Sequence, residues 1–483
     1  MTETGILSFG AYIPKRRLQR SAIHAFNSWF APGMRGLAKG EKANANWDED
    51  AITMAVEAAR DGLTGLDRAT VAGLTLASTT LPFADRLNAG IVKEALALPD
   101  ATAASDAAGS LRAGSSALLQ ALGGQETRLV LASDRRLAKP GTEAEMNYGD
   151  AAAAMLVGQG DVIARFIGGH SVTVDFVDHY RSSGAEYDYA WESRWIRDEG
   201  YAAILGTALK DGLAKLGVDG ASVTRSIIAV PVKGVPELLA KKAGLNPDSC
   251  VDPMMAIVGD SGAAHPLLML AATLETAKPG DTILLASFGQ GADVLLFEVT
   301  DAITRLPARR GVAGHLAFRA EDANYSRYLF HRGLHNLDKG MRAEMDQKQP
   351  GTTLFRQRKA VLGLIGGRCT KTGTVQFPKT EISVNPNDRA QGTQEDWPLA
   401  EKTATVIAFT ADNLTYSPDP PSFYGTIDFE GGGRLVTEFA DVTKEEVEVG
   451  VAMRMVFRIK AVDEMRGFTK YFWKAVPANK GDA

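Results

Sequence analysis

Cysteine is nearly absent. The 483-residue chain holds two, Cys250 and Cys369, too few for a disulfide framework, and neither stands in a CxxC pair of the kind that binds zinc or exchanges disulfides. An excess of one charge is lacking too: Lys and Arg total 53 against 58 Asp and Glu, a net charge of −5, which removes any global electrostatic pull toward nucleic acid. No run approaches the roughly 18 apolar residues that a membrane helix needs. The opening MTETGILSFGAYIPKRR has no basic n-region ahead of an apolar h-region. A cytoplasmic chain with no nucleic-acid and no membrane partner is expected. Proline is sparse at 20, and 45% of residues are hydrophobic, so disorder is excluded as the main state.

What is present alternates between two periodicities. GILSFGAYI reads as a buried strand, and DEDAITMAVEAARDGL as a helix behind acidic first-turn residues. VAGLTLAST and TRLVLASD read as strands, and NAGIVKEALAL and SSALLQALGG as helices, which together predict a layered α/β fold. An internal echo supports a duplication. SSALLQALGGQETRLVLASD followed by GDAAAAMLVG is answered by HPLLMLAATLETAKPGDTILLASF followed by GADVLLFEV. The halves fall at about 1–165 and 205–300. Between them, at about 166–204, the insertion FVDHYRSSGAEYDYAWESRWIRDEGY concentrates Tyr, Trp, Arg and Asp, residues suited to a cleft surface. A helical linker is expected at 301–354. From 355 to 483, short β-rich runs separated by Pro and Gly predict a small barrel of OB type.

Several of these segments, in this order, resemble the thiolase superfamily and within it the hydroxymethylglutaryl-CoA synthase-like branch: GILSFGAYIP, DEDAITMAVEAA, DAAGSLRAG, GDAAAAMLVG, FVDHYR, GDSGAAHPLLMLAATLE and PGDTILLASFGQGAD. GGRCTKTGTVQFP, with TATVIAFTADN and PPSFYGTIDFEGGGRLVTEFAD, resembles the zinc-ribbon plus OB-fold domain that accompanies thiolase-like acyl-CoA enzymes, here fused to the same chain. The resemblance implies a duplicated thiolase-like layered fold, an acyl-CoA ligand, and assembly as a homodimer or as a heteromer with thiolase-type subunits. It implies coenzyme A thioester as substrate and no covalently bound cofactor.

The family's nucleophilic cysteine lies five residues after the Asp of its DxxxxC segment, and that position is Leu111, which has no nucleophilic atom. The positions of its Glu and His fall on Thr79 and Ala229. Ser110, beside Leu111, would need a base to be activated. The family's asparagine motif becomes Gly259-Asp260-Ser261-Gly262, with His265 five residues beyond Asp260. A carboxylate and an imidazole can move a proton at the carbon beside a thioester; the same two residues also suit a helix cap and a first-turn filler. Gly289 and Gly291 in GQGAD match the family's turn that holds the thioester oxygen, or simply turn the chain tightly between two strands. His179, with Arg181, Tyr187 and Asp188 nearby in the insertion, offers catalytic or acyl-binding groups, or a salt-bridged surface turn. Lys233 and Arg225 offer cations for a CoA phosphate, or a solvated face. In the ribbon, Thr372 holds the second knuckle position, so no metal is expected. Tyr424, Phe429, Phe439 and Phe457 suit a barrel core better than base stacking.

The reading that unites these residues is an acyl-CoA enzyme that makes or cleaves a C–C bond next to a CoA thioester without a cysteine acyl-enzyme. The alternative is a catalytically inactive thiolase-like subunit that scaffolds or channels acyl-CoA for an active partner.

Overall fold

A computed structural model describes residues 3–344 and 351–478. The chain divides into two compact units. The first comprises Met1–Asn46, Asp50–Gly90 and Pro99–Arg332; the second comprises Trp47–Glu49, Ile91–Leu98 and Gly333–Ala483.

The first unit is built on a nine-stranded sheet. Its strands are β1 (Thr4–Tyr12), β2 (Gly73–Ala77), β3 (Ala103–Ala107), β4 (Arg128–Asp134), β5 (Ala151–Gln159), β6 (Ala164–Thr173), β7 (Arg225–Ala229), β8 (Thr282–Phe288) and β9 (Gly291–Val299). The spatial order is β7-β8-β9-β6-β1-β5-β4-β2-β3. Outward from the β1/β6 junction, each half repeats the same pattern. β5 and β4 are antiparallel and β4 and β2 parallel; β9 and β8 are antiparallel and β8 and β7 parallel. Where β3 runs parallel beside β2, a single parallel bridge from Cys250 to Ser226 stands beside β7. The echo in sequence is therefore an echo in topology.

Both faces of this sheet are covered. Successive side chains of β8 point to opposite sides, so Ile283 and Leu285 enter one apolar cluster with Leu118, Leu267 and Leu270, whereas Leu284 and Ala286 enter another with Leu209, Leu213 and Leu239. That is why the strands read as continuous apolar runs. The helices α1 (Ala51–Gly62), α2 (Ala113–Leu122), α3 (Gly206–Leu216) and α4 (His265–Leu274) supply the covering residues. α1 begins with a reciprocal cap: Asp50 accepts from the Thr53 amide at 2.9 Å, and the Thr53 hydroxyl accepts from the Asp50 amide at 2.8 Å. α2 approaches the turn ahead of α4 so closely that a Cβ at Gly114 would stand 2.5 Å from the Ala263 carbonyl oxygen.

The insertion contributes β6 to the sheet, then a two-residue ladder pairing His179–Tyr180 with Tyr189–Ala190, then a π-helical stretch Ile196–Leu205 that runs into α3. Residues 301–332 carry two short helices, Gly311–Ala317 and Tyr325–His331, and belong to the first unit.

In the second unit, Ile365–Cys369 lies between Val375–Gln376 and Gln394–Pro398 in a three-stranded ribbon. Then β10 (Ala404–Asp412), β11 (Ser422–Phe429), β12 (Arg434–Glu438), β13 (Ala452–Asp463) and β14 (Phe468–Pro477) form a sheet in the order β12-β11-β10-β13-β14. A bridge from Phe439 to Ala475 links the two ends of that order. Phe429, Phe439 and Phe457 are buried among its apolar residues, whereas Tyr424 is exposed. Arg458, fully buried, is paired with Glu49 at 2.9 Å and Asp441 at 2.8 Å, and Lys474 with Asp48 at 3.0 Å.

Candidate functional site

The parallel pairing of β2 with β4 ends at Ala77 beside Ala132, β4 runs on to Asp134, and these ends define one corner of the first unit. The last residue of β4, Asp134, is wholly buried there. It accepts hydrogen bonds from the Ser78 hydroxyl (2.9 Å), the Thr79 amide (2.7 Å) and hydroxyl (2.9 Å), the Thr80 hydroxyl (3.0 Å) and the Ala263 amide (2.8 Å). Burial pushes this carboxyl up from its ordinary value, while the Ala263 amide, Arg136 and the Ser78 and Thr79 donors pull the other way. Five neutral donors leave little acceptor capacity for a ligand. Asp134 is a fastener: it ties the end of β2 to the turn that starts α4.

Two residues further on, Arg136 gathers four segments. It reaches Asp260 at 3.0 Å, Asp188 at 3.1 Å and the Tyr148 hydroxyl at 2.6 Å, and its guanidinium lies 3.6 Å from the centre of the Tyr148 ring. Burial disfavours the charge on Arg136, but Tyr148, Asp260 and Asp188 together hold it protonated. The Tyr148 hydroxyl in turn donates to Asp188 at 3.2 Å. Asp260 is set by its backbone: its amide donates to the Asn147 carbonyl at 2.7 Å, and its carbonyl accepts from the Gly149 amide at 2.9 Å. Gly259 before it sits at φ +90°, with the Asn147 oxygen 2.7 Å from where a Cβ would stand, so only glycine fits. One carboxylate oxygen of Asp260 accepts from the Gly262 amide at 3.0 Å, and the other faces Arg136. Burial alone raises this carboxyl, yet Arg136 foremost, then His265 and the Gly262 amide, hold it below the usual carboxylate value. Asp260 is ionised, and its side chain keeps 14% of its surface open.

Arg181 extends the network. It donates to Asp188 at 2.9 Å and to the Thr79 carbonyl, which brings the insertion over the end of β2. His179, half-buried, has Nδ1 3.1 Å from Asp178. At the start of α2, the Leu111 amide has no hydrogen-bond partner among the described residues. The tight turn between β8 and β9 is pinned beside it: the Gly289 carbonyl accepts from Ser110 Oγ at 2.7 Å and Arg112 Nε at 3.0 Å. Arg112 is itself fixed by buried Asp293 at 2.9 Å. Gly289 must lack a side chain because the Arg112 amide and Ser110 Oγ stand 2.7 and 2.8 Å from where its Cβ would be.

The structure thus draws Asp260 and Arg181 into one polar chain, Asp260–Arg136–Asp188–Arg181, and puts Leu111 beside the Gly289 turn. It separates other residues singled out from the sequence. His265 is buried behind Ser261, whose amide approaches its Nδ1 at 3.4 Å, and burial lowers its pKa against the pull of the Asp260 charge. The Gly289 amide is spent on the Gly291 carbonyl at 3.1 Å, and Gly291 sits at φ +126° against β6. Tyr187 pairs with Glu186, and Lys233 is exposed without an ion pair among the described residues. Cys250, half-buried against the apolar cluster around Leu239, has its thiol pushed up to about 11 by burial and by Glu237 and Asp248, so it is no thiolate at neutral pH.

Arg136 and Tyr148 escaped the sequence reading, whereas Asp188 stood in it beside His179 and Arg181. The signal available for Arg136 was a charged pair, Arg135-Arg136, directly after an apolar strand.

The ribbon does not fit zinc. Cys369 Sγ lies 3.2 Å from Thr393 Oγ1, Thr372 stands on the same turn, and no group of three or more His, Cys, Asp or Glu is placed to hold a metal among the described residues. Threonine hydroxyls do not replace thiolates in a structural tetrahedral site. Among the described residues no helix is long and apolar enough to cross a membrane.

Comparison with known proteins matches this architecture. The hydroxymethylglutaryl-CoA synthase of Methanocella arvoryzae is 30% identical over 349 residues, covering 69% of this chain and 99% of that protein. The chain belongs to the hydroxymethylglutaryl-CoA synthase family. The corresponding synthase of Aeropyrum pernix is 31% identical over 313 residues, covering 62% of this chain and 86% of its own length. The solved structure of MvaS in complex with 3-hydroxy-3-methylglutaryl coenzyme A superposes with a TM-score of 0.58 at 17% identity, over 69% of this chain and 93% of that one, a likeness of thiolase-type fold. Residues 397–458 match the family described as ChsH2, C-terminal OB-fold domain. This member of the synthase family therefore carries an OB-fold domain in the same chain.

Proposed function

We propose that the chain binds a coenzyme A thioester and makes or cleaves a carbon–carbon bond next to it without forming an acyl-enzyme. The observation that carries this reading is the assembly of Asp260, Arg136, Asp188 and Tyr148, from four separate segments, at the sheet corner next to Thr79. The hydrocarbon side chain of Leu111 stands where the family resemblance places the nucleophile, and its amide, without a hydrogen-bond partner among the described residues and at a helix start, suits a thioester oxygen that gains charge. Asp260, ionised and partly open, accepts the proton from the carbon beside the thioester. His179 and His265 bear on the charge of Asp260, and Arg181 orients Asp188. In the same reading the molecule is cytoplasmic and works as a homodimer or as a heteromer with thiolase-type subunits.

A second reading has its own observation. Asp260 already carries an arginine and an amide, the pattern of a carboxylate kept for structure, and the positions matched to the family's Cys, Glu and His are Leu111, Thr79 and Ala229. That pattern suits a subunit that holds acyl-CoA for an active partner.

One experiment separates the two. The purified chain is incubated with a panel of β-ketoacyl- and β-hydroxyacyl-CoA esters, alone and with a competent thiolase, and ester consumption is followed. Turnover by the chain alone, slowed about 10²-fold or more by Asp260→Asn, supports the enzyme. Tight CoA-ester binding with turnover only beside the partner supports the scaffold.

A further inference from the structure

The geometry points to Tyr201 as the proton donor of the carbon–carbon bond step, a role that rests on the function proposed above. Tyr201 lies in the π-helical stretch Ile196–Leu205, a wide backbone form that recurs at functional sites. Its ring is held edge-on against Phe288, centroids 5.2 Å apart and planes at 80°. Phe288 is the last residue of β8, directly before the Gly289 turn that is pinned to Ser110 and Arg112. The preceding Gly200 makes this contact possible, since a Cβ there would stand 3.0 Å from both Phe176 and Phe288. The tyrosine is thus indexed to the start of α2 through one aromatic contact and one locked turn.

Two phenols feel the Asp260 carboxylate, and they differ in one respect. The Tyr148 hydroxyl is occupied, accepting from Arg136 and donating to Asp188. The Tyr201 hydroxyl has no hydrogen-bond partner among the described residues. Burial, then the charges of Asp260 and Asp178, raise its pKa, so at neutral pH it holds its proton and acts as an acid.

The transfers balance. In the bond-forming direction Asp260 takes the proton from the carbon beside the thioester, and the C–H electron pair attacks the carbonyl carbon of the acceptor. The C=O π pair moves onto oxygen, and the Tyr201 proton follows it. The proton on Asp260 then returns to the phenolate through water, and the enzyme is restored. Cleavage runs the same transfers backwards.

Tyr201→Phe keeps the ring on Phe288 and removes only the hydroxyl. In the full chain it is expected to lower kcat about 10²-fold or more and leave KM within about threefold. Deuterium exchange at the α-carbon of the thioester, read by proton NMR in D₂O, is expected to persist, because Asp260 is intact. A Tyr201→Phe chain with an unchanged unfolding midpoint that turns over within about threefold of the unaltered chain overturns the assignment alone. An unaltered chain that shows neither exchange nor turnover overturns the function proposed above and this role with it.

Discussion

Two aspartates at the same corner of the first unit, one wholly buried and one partly open, are treated in opposite ways. Asp134 is wholly buried and surrounded by five neutral donors, three hydroxyls and two amides. Asp260 has one cation, one amide and an open edge. Neutral donors on all sides satisfy a carboxylate without making it available, so Asp134 links the halves of the duplication and does no chemistry. A guanidinium holds Asp260 charged and part of its edge stays open, which is what the proposed role as a base requires. Burial alone does not distinguish a catalytic carboxylate from a structural one. The identity of its partners does.

Removing the fastener has the largest effect on this contrast. Asp134→Ala leaves buried donors from Ser78, Thr79, Thr80 and Ala263 without an acceptor and is expected to cost about 4 kcal/mol of unfolding free energy, measured by denaturant titration. A loss below about 1 kcal/mol would mean that water reaches this corner. Next comes Arg136→Met, which leaves Asp188 and Asp260 in a buried corner without the cation that joins them. About 3 kcal/mol is expected to be lost. Asp260→Asn is milder, because an amide oxygen still accepts from Gly262; a change of about 1 kcal/mol or less is expected, against the large fall in turnover. If it unfolds the protein as Asp134→Ala does, the contrast fails.

The smallest effect lies in the pH profile, where the two aspartates have opposite signs. The folded value of Asp260 is depressed, so its contribution is full above the unfolded carboxylate value of about 3.9 and is lost as pH falls through the lower folded value. The folded value of Asp134 is raised, so its contribution is present below the unfolded value and is lost as pH rises through the folded one. Unfolding free energies measured from pH 3 to 6 are therefore expected to fall less steeply on the acid side for Asp260→Asn than for the unaltered chain. Parallel curves would show that Arg136 does not depress this carboxyl.

Much of the fold could be read in the residues. LVLASD and ILLASF fall on β4 and β8, GDAAAAMLVG and GADVLLFEV on β5 and β9, and the β-rich runs of the C-terminal region on β10 to β14. The apolar periods carry that information because a strand buried on both faces must be apolar throughout. The site was harder. Leu111, Asp260 and Arg181 drew notice because they lie in segments with a recognisable order. Tyr148 and Tyr201 stand in stretches whose pattern says only strand edge and helix. His265 and Asp260, five residues apart in sequence, also act on each other's charge in the folded chain, while the His265 ring packs behind Ser261 in the core.

By itself, the order of residues determined the layered α/β architecture, its duplication, the attached barrel and the hydrocarbon at position 111, since each is written in local periodicity or in a single side chain. Only the folded chain decided which charges meet. Arg136 and Asp260 are 124 residues apart, and Arg136 and Asp188 are 52 apart. No local pattern encodes such pairings, which arise when strand ends and loops are brought to one corner of the sheet. There, low polarity and loss of water turn a partner's identity into the difference between a fastener and a reactive group.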